Sequence, residues 1–215
     1  MKDVLTLYAQ PDDPRRPTVC FDEQPVQILA EARPMRPLMP GFAPRRDYEY
    51  VRGGTRNVFL FVEPKVGQRH LLVTHHRTKE DFAKAMRYLV NELYPDVPMI
   101  DVVSDQLNTH NAEALIEFFG KTEADRLLAR VAFHPTPVHA SWLNIAEIDL
   151  SALTRQCLDR RIGDAWMLRM ESLAWEYRRN TLHKPIAWSF DWKRARRFLR
   201  DHKRRQSLRA TTGQN

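Results

Sequence analysis

Three acidic residues stand where they could share one task. Asp22 closes the apolar run TVCF, Asp105 closes the run MIDVVS, and Glu147 lies in SWLNIAEIDL, whose apolar spacing is helical. Taken singly, an aspartate at a strand end is a turn former and a glutamate on a helix is solvated. Joint placement gives them a chemistry: in a sheet whose first and fourth strands are neighbours, the two aspartates emerge side by side and Glu147 reaches them from a packed helix. Carboxylates gathered in this way repel one another, and divalent cations relieve the repulsion. Hard oxygen donors select Mg²⁺ or Mn²⁺, and the scarcity of suitably arranged thiols argues against a structural zinc. Strand alternation turns Glu23 away from Asp22, so it is expected to face solvent or to support the site indirectly.

Other chemistries lack their signatures. No GxxxxGK, GxGxxG or GxSxG motif occurs, which removes P-loop nucleotide hydrolysis, dinucleotide binding and an α/β-hydrolase nucleophile. His75, His76, His110, His134 and His139 lack the i, i+4 spacing of a helical zinc pair. His110, five residues after Asp105, is placed either to contact a phosphate or to lie solvated at the surface. Cys20 and Cys157 form neither a disulfide framework nor a CxxC pair, and read as small core residues.

The elements that must position the carboxylates are legible from periodicity. Residues 1–17 read as a leader ending in the turn-prone PDDPRRP, and TVCFDEQ as the first strand. Residues 25–47, with prolines at 25, 34, 37, 40 and 44 interleaved with arginines, are expected to form a long projecting loop. In YEYVRGGTRNVFLFVEP two β-rich runs flank Gly53 and Gly54, the signal of a tight hairpin turn, and HLLVTH completes an antiparallel meander. The period then lengthens: Phe82, Ala85, Met86, Leu89 and Leu93 share a helical face, with Thr78 and Asp81 as a capping pair. MIDVVSD reads as a strand buried on both faces, Ala112, Leu115, Ile116 and Phe119 as one side of a helix, and RVAFHPT as a short strand. Residues 141–158 and 164–180 are predicted helices, the second with Trp166, Met170, Leu173, Ala174 and Tyr177 on its core side. Three antiparallel strands followed by alternating helices and strands predict an α/β fold with a mixed sheet covered on both faces.

A chain of 215 residues is long enough for one substantial core with an appendage. No apolar stretch nears the roughly 18 residues of a membrane span, and MKDVLTLYAQ lacks a signal peptide's basic start and apolar core. A cytoplasmic chain with no membrane partner is therefore expected. The net charge of +7 resides wholly in residues 190–209, where Lys193, Arg194, Arg196, Arg197, Arg200, Lys203, Arg204, Arg205 and Arg209 stand against Asp191 and Asp201. Such a face is either an electrostatic footprint for nucleic acid or another anionic surface, or a solvated helical tail.

FDEQPVQ, DYEYVRGGTRNVFLFVEPKVG, VVSDQLNTHN and HPTPVHASWLNIAEIDLSALTRQCLDRR together resemble the catalytic domain of bacterial insertion-sequence transposases of the mariner-related superfamily. The likeness runs over nearly the whole chain, from Val4 to Trp192. It implies an RNase H-like fold over residues 18–160 with a five-stranded mixed sheet, a clamp-like loop at 25–47, and C-terminal helices with a basic segment over 161–209. It also implies an Asp-Asp-Glu triad of Asp22, Asp105 and Glu147, with Asp22 bridging two ions of Mg²⁺ or Mn²⁺ and the other two each holding one. In this family water frees a 3′-hydroxyl at the element's end, and that hydroxyl attacks target DNA. Gln106, His110 and Asn144 fall in supporting or phosphate-contacting places, and the basic segment in a DNA-binding one. The implied partner is double-stranded DNA, both element ends and target, held by a homodimer in the bacterial nucleoid. In two respects the chain departs from the family: Gln106 stands where Asn is usual, and the helix-turn-helix region that precedes the catalytic domain is expected to be encoded upstream. Alternative readings are a non-catalytic remnant that binds DNA or full-length subunits, and an RNase H-like nuclease with another role.

Overall fold

The computed structural model describes residues 1–45, 47–105, 111–138, 140–197 and 200. Five strands, β1 (Thr18–Glu31), β2 (Tyr50–Glu63), β3 (Gln68–Thr74), β4 (Ile100–Ser104) and β5 (Val131–Pro135), form one sheet in the order β3-β2-β1-β4-β5. β1, β2 and β3 run antiparallel, and β4 joins β1 and β5 in parallel. This is the mixed sheet that the alternation of elements predicts.

Strand alternation sorts the core into two faces. Val19, Phe21, Phe59 and Phe61 pack under α2 (Lys79–Tyr88), α3 (Ala112–Phe119) and α4 (Lys121–Leu128). Phe21 lies edge-on to both Phe59 and Phe82, and truncating so buried a ring costs about 3–5 kcal/mol. Cys20, Val58, Leu60 and Val62 face α5 (Ala146–Leu153) and α6 (Ala165–Thr181). The capping pair of α2 is as expected: the Thr78 hydroxyl accepts from the Asp81 N–H, and the Asp81 carboxylate accepts from the Thr78 N–H. Gly120, with φ 77°, separates α3 from α4, a helix the apolar spacing alone does not announce. Among the described residues no helix is long and apolar enough to cross a membrane.

Several expectations need correction. Within the leader, α1 (Lys2–Ala9) buries Val4, Leu5 and Leu7; its eight residues make about two turns, too few for a periodicity to stand out. The projecting loop begins later than Pro25, because β1 stays paired with β2 as far as Glu31. On β1, β4 pairs only with Thr18, Val19 and Cys20; among the described residues no strand pairs with β1 on that side beyond them, and a proline's missing donor is tolerated there. Gly53 and Gly54 form no turn. Gln27 pairs with Thr55 and Leu29 with Arg52, so the two glycines oppose Ile28 in a bulge. Gly54 has φ 82°, and a Cβ on Gly53 would stand 2.7 Å from Ile28 Cγ2. Bulge and hairpin turn ask for the same backbone freedom, so the sequence pair reads as either. The actual hairpin tip is at Pro40 and Gly41: Met39 and Phe42 exchange backbone hydrogen bonds of 3.2 and 2.9 Å around them.

The predicted helix over 141–158 is broken into a 3₁₀ turn (Ser141–Leu143), α5 and a π-helical turn (Thr154–Leu158). The face of α6 is also reversed. Trp166, Met170, Leu173 and Tyr177 are exposed, while Leu168, Ser172 and Trp175 are buried. α6 instead docks through polar groups on the edge strand: Glu176 accepts from the Leu71 N–H at 2.8 Å, and the Asn180 amide both accepts from and donates to the Arg69 backbone at 2.9 and 2.7 Å. Hydrogen bonding of this kind covers an edge that would otherwise offer itself to another chain.

Candidate active site

The sheet register brings the two aspartates level. Cys20 pairs with Val103 in the parallel β1–β4 ladder. Two residues further along each strand stand Asp22, inside the long β1 and not at its end, and Asp105, the first residue after β4. Adjacent strands lie about 4.8 Å apart, so the carboxylates start as neighbours. Glu147 is in the first turn of α5, which packs on the Asp22 face of the sheet.

Asn144 ties these pieces together. Fully buried, it donates through Nδ2 to the Phe21 carbonyl at 2.8 Å, one residue before Asp22. Its Oδ1 accepts from the Ala146 N–H at 3.2 Å, and its carbonyl accepts from the Glu147 N–H at 3.2 Å. One side chain thereby pins the start of α5 to the strand that carries Asp22.

Asp22 and Glu147 line one groove of about 470 Å³, together with Glu23, Gln24, Ser151 and Arg155. The Asp22 carboxyl is pushed up from an ordinary 3.8 to about 7, chiefly because burial strips its water, and further by the charges of Glu23, Asp105 and Glu147. A 2.8 Å hydrogen bond from the Glu23 N–H acts in the opposite sense. Glu23 is not simply turned to solvent: it lines the same groove, and one of its carboxylate oxygens is buried. Arg155 escapes a search for acids; its signal is its place eight residues after Glu147, with Ser151 midway, on one side of the helical segment.

The donor set suits a divalent cation. Two aspartates and a glutamate are hard oxygen ligands, and Asp22, raised chiefly by burial and further by its acidic neighbours, is a carboxylate whose charge a cation would stabilise. Among the described residues, no three such side chains stand close enough to grip an ion as they are. Gln106, His110 and His139 lie outside the described residues. His134 serves the frame, bonding Asp3 at 2.7 Å and the buried Asp101 at 2.9 Å. Cys20 and Cys157 are free and buried, as expected of core residues, and burial pushes the Cys20 thiol up to about 12.

Of the basic segment, residues 192–197 are helical and anchored by the buried Ala195. Lys193, Arg196, Arg197 and Arg200 are exposed, while Arg194 folds back onto the Ser189 carbonyl at 2.8 Å. Lys203, Arg204, Arg205 and Arg209 lie outside the described residues.

A five-stranded mixed sheet in this order, flanked by helices, is an RNase H-like fold. Residues 17–169 match the family described as DDE superfamily endonuclease, and the chain belongs to that family. Solved structures share the fold. "Crystal structure of the Mos1 mariner paired end complex with Mn" aligns with a TM-score of 0.54 and 15% identity, over 84% of this chain and 54% of that one. A pre-cleavage Mos1 transpososome gives 0.55 and 10% over 81% and 52%, and the Mos1 strand transfer complex 0.55 and 14% over 81% and 50%. The chain thus spans about half the length of these relatives. No curated protein shows a significant match.

Proposed function

We infer that this chain is the catalytic part of a DNA transposase, cutting DNA strands at the ends of an insertion sequence and joining them to target DNA. The observation that carries the reading is the groove in which Asp22 and Glu147 face one another with the charge of Asp105 bearing on Asp22. Asp22, Asp105 and Glu147 are the residues to hold two ions of Mg²⁺ or Mn²⁺. Such ions, when bound, sharpen the attacking oxygen and stabilise the leaving one. The chain itself supplies position: β1 and β4 hold the aspartates level, and Asn144 holds the start of α5 against β1. Arg155, on the rim of the groove, is placed to meet a phosphate of the strand being cut.

The likeness to Mos1 paired-end and strand-transfer complexes supports DNA as the substrate. We extend the reading to a homodimer on DNA because the arm between β1 and β2 carries Met35, Leu38, Met39 and Phe42 exposed at its tip, where a second subunit would cover them. The test is nicking of supercoiled plasmid in Mg²⁺ or Mn²⁺ by the wild-type chain and by Asp105→Ala and Glu147→Ala. Metal-dependent nicking lost in both variants is the expected result. A chain that binds DNA yet nicks it in neither ion would instead be the non-catalytic remnant.

A further inference from the structure

A second groove, of about 700 Å³, lies where the bulged part of β2 meets the turn between β3 and α2. Its lining includes Arg56, His75, His76 and Arg77, and among the described residues no carboxylate. Several other arginines and lysines are matched to acids: Arg33 to Asp47 and Glu49, Lys79 to Glu117, Lys84 to Glu80, Arg161 to Glu31. Arg56 and Arg77 have no such partner among the described residues. The Arg56 guanidinium only turns back to the Thr55 carbonyl at 2.8 Å. Of the two acids that open α2, Glu80 is paired with Lys84 at 2.6 Å, and Asp81 is engaged by the Thr78 N–H and hydroxyl at 2.9 and 2.6 Å. His75 and His76 stand side by side with ring nitrogens 3.0 Å apart.

Backbone is open here as well. The β2–β3 ladder ends at Asn57 paired with Thr74, so the segment from Gly53 to Arg56 has no partner on that side among the described residues. Glycine at both bulge positions removes side chains that would fill the step. A concave, open site with two arginines, no acid in its lining and bare backbone suits an extended polyanion better than a compact neutral ligand.

We propose that this groove binds the phosphodiester backbone of DNA, gripping it by Arg56, Arg77 and the histidine pair, apart from the carboxylate groove. Pro25 lines the basic groove and Asp22 the acidic one, three residues apart on β1. At about 3.4 Å per residue the two are about 10 Å apart along the strand, the rise of about three nucleotides. They lie on alternate faces, so DNA reaching both crosses the free rim of the sheet. The role of DNA rests on the transposase reading, but the binding does not require cleavage.

The test is fluorescence anisotropy on labelled duplex of arbitrary sequence across a salt series, with Arg56→Gln/Arg77→Gln, whose side chains are half-exposed and exposed. Glutamine keeps much of the side-chain stem, and an unchanged melting temperature checks the fold. Both proteins also carry Lys193→Gln, Arg196→Gln and Arg197→Gln, to lower the background of the terminal segment. Withdrawing two cations from the phosphates should flatten the slope of log affinity against log salt by about 1.8 and weaken binding about 10- to 60-fold at about 0.1 M salt. A slope unchanged within about 0.5 overturns the proposal. Inorganic phosphate binding that the variant loses, beside an unchanged DNA slope, would assign the groove to free phosphate and overturn the DNA occupant. Plasmid nicking is assayed in parallel: a variant whose slope has flattened while the catalytic reading fails still supports the groove, and intact nicking with an unchanged slope refutes the groove alone.

Discussion

Replacing Asp22 by Asn should stabilise the metal-free protein, increasingly as pH rises. The folded chain holds the Asp22 carboxyl at about 7 against an ordinary 3.8. A carboxyl whose folded pKa is raised keeps its proton more tightly folded than unfolded. Its contribution is therefore complete below the unfolded value, is lost as pH climbs through the folded one, and is flat above it. Each unit is worth about 1.4 kcal/mol, so the full loss is about 4 kcal/mol, and partial exposure to solvent brings the expected range to about 2–4 kcal/mol. Urea unfolding in EDTA, followed by tryptophan fluorescence between about pH 4 and pH 8, measures it. Asn cannot titrate, so the difference between wild type and Asp22→Asn isolates this group from the rest. Saturating Mn²⁺ at about pH 8 should return stability to the wild type alone, about 2.7 kcal/mol at a hundredfold excess over Kd. A difference constant to within about 0.5 kcal/mol across the range would mean that Asp22 does not sit in a desolvated acidic cluster, and the case for a cation there would fall with it.

Asn144→Ala should cut metal-dependent nicking by about 10- to 100-fold, since it releases the strand and helix that carry two of the carboxylates; single-turnover plasmid assays measure this. Arg69→Met should cost about 3 kcal/mol in urea unfolding, the low end for a broken buried pair, because Asp149 loses its 2.7 Å partner and keeps only Arg179 at 3.1 Å, and the double variant Arg69→Met/Asp149→Leu should recover much of that loss. Leu38→Asp/Phe42→Asp, at exposed positions of the arm, should leave stability within about 0.5 kcal/mol while weakening the dimer on DNA, read by sedimentation velocity.

The strands and the carboxylates are legible in the sequence for one reason: a buried strand needs a dense apolar run, and an acid at its margin interrupts that run visibly. TVCF before Asp22 and IDVVS before Asp105 both end in this way, and the first leads into the groove. Register supplies the rest, because β1 and β4 pair in parallel up to Cys20 and Val103. What periodicity misjudges is contact made through polar atoms. α6 has an apolar stripe at 166, 170, 173 and 177, yet its opposite side is the one that meets the sheet, led by Leu168, Trp175, Glu176 and Asn180. An edge strand's unsatisfied N–H and C=O groups attract carboxylates and amides, and apolar periodicity does not register them. The glycine pair fails for a different reason. Its backbone freedom is real, but a bulge and a turn consume it equally, and only the partner strand tells them apart.

Polar fastening has a consequence for the acidic groove itself. Carboxylates that repel one another push their supporting elements apart, and α5, with eight residues, adds polar anchors to the buried Ala146, Leu150, Ala152 and Leu153. Two residues beyond Glu147, Asp149 is wholly buried, held by Arg69 of β3 at 2.7 Å and by Arg179 of α6 at 3.1 Å. Asn144 holds the other end of the same turn to β1. Apolar contacts are non-directional and let a helix slide, whereas hydrogen bonds of fixed length and angle set its register. Glu147 is therefore bracketed by an amide clip on one side and a buried ion pair on the other, both reaching the sheet that carries Asp22. With the bracket intact, Asp22 stays buried beside Glu147, and that burial, reinforced by the charges of Glu23, Asp105 and Glu147, raises its carboxyl, a cost that an arriving cation would relieve.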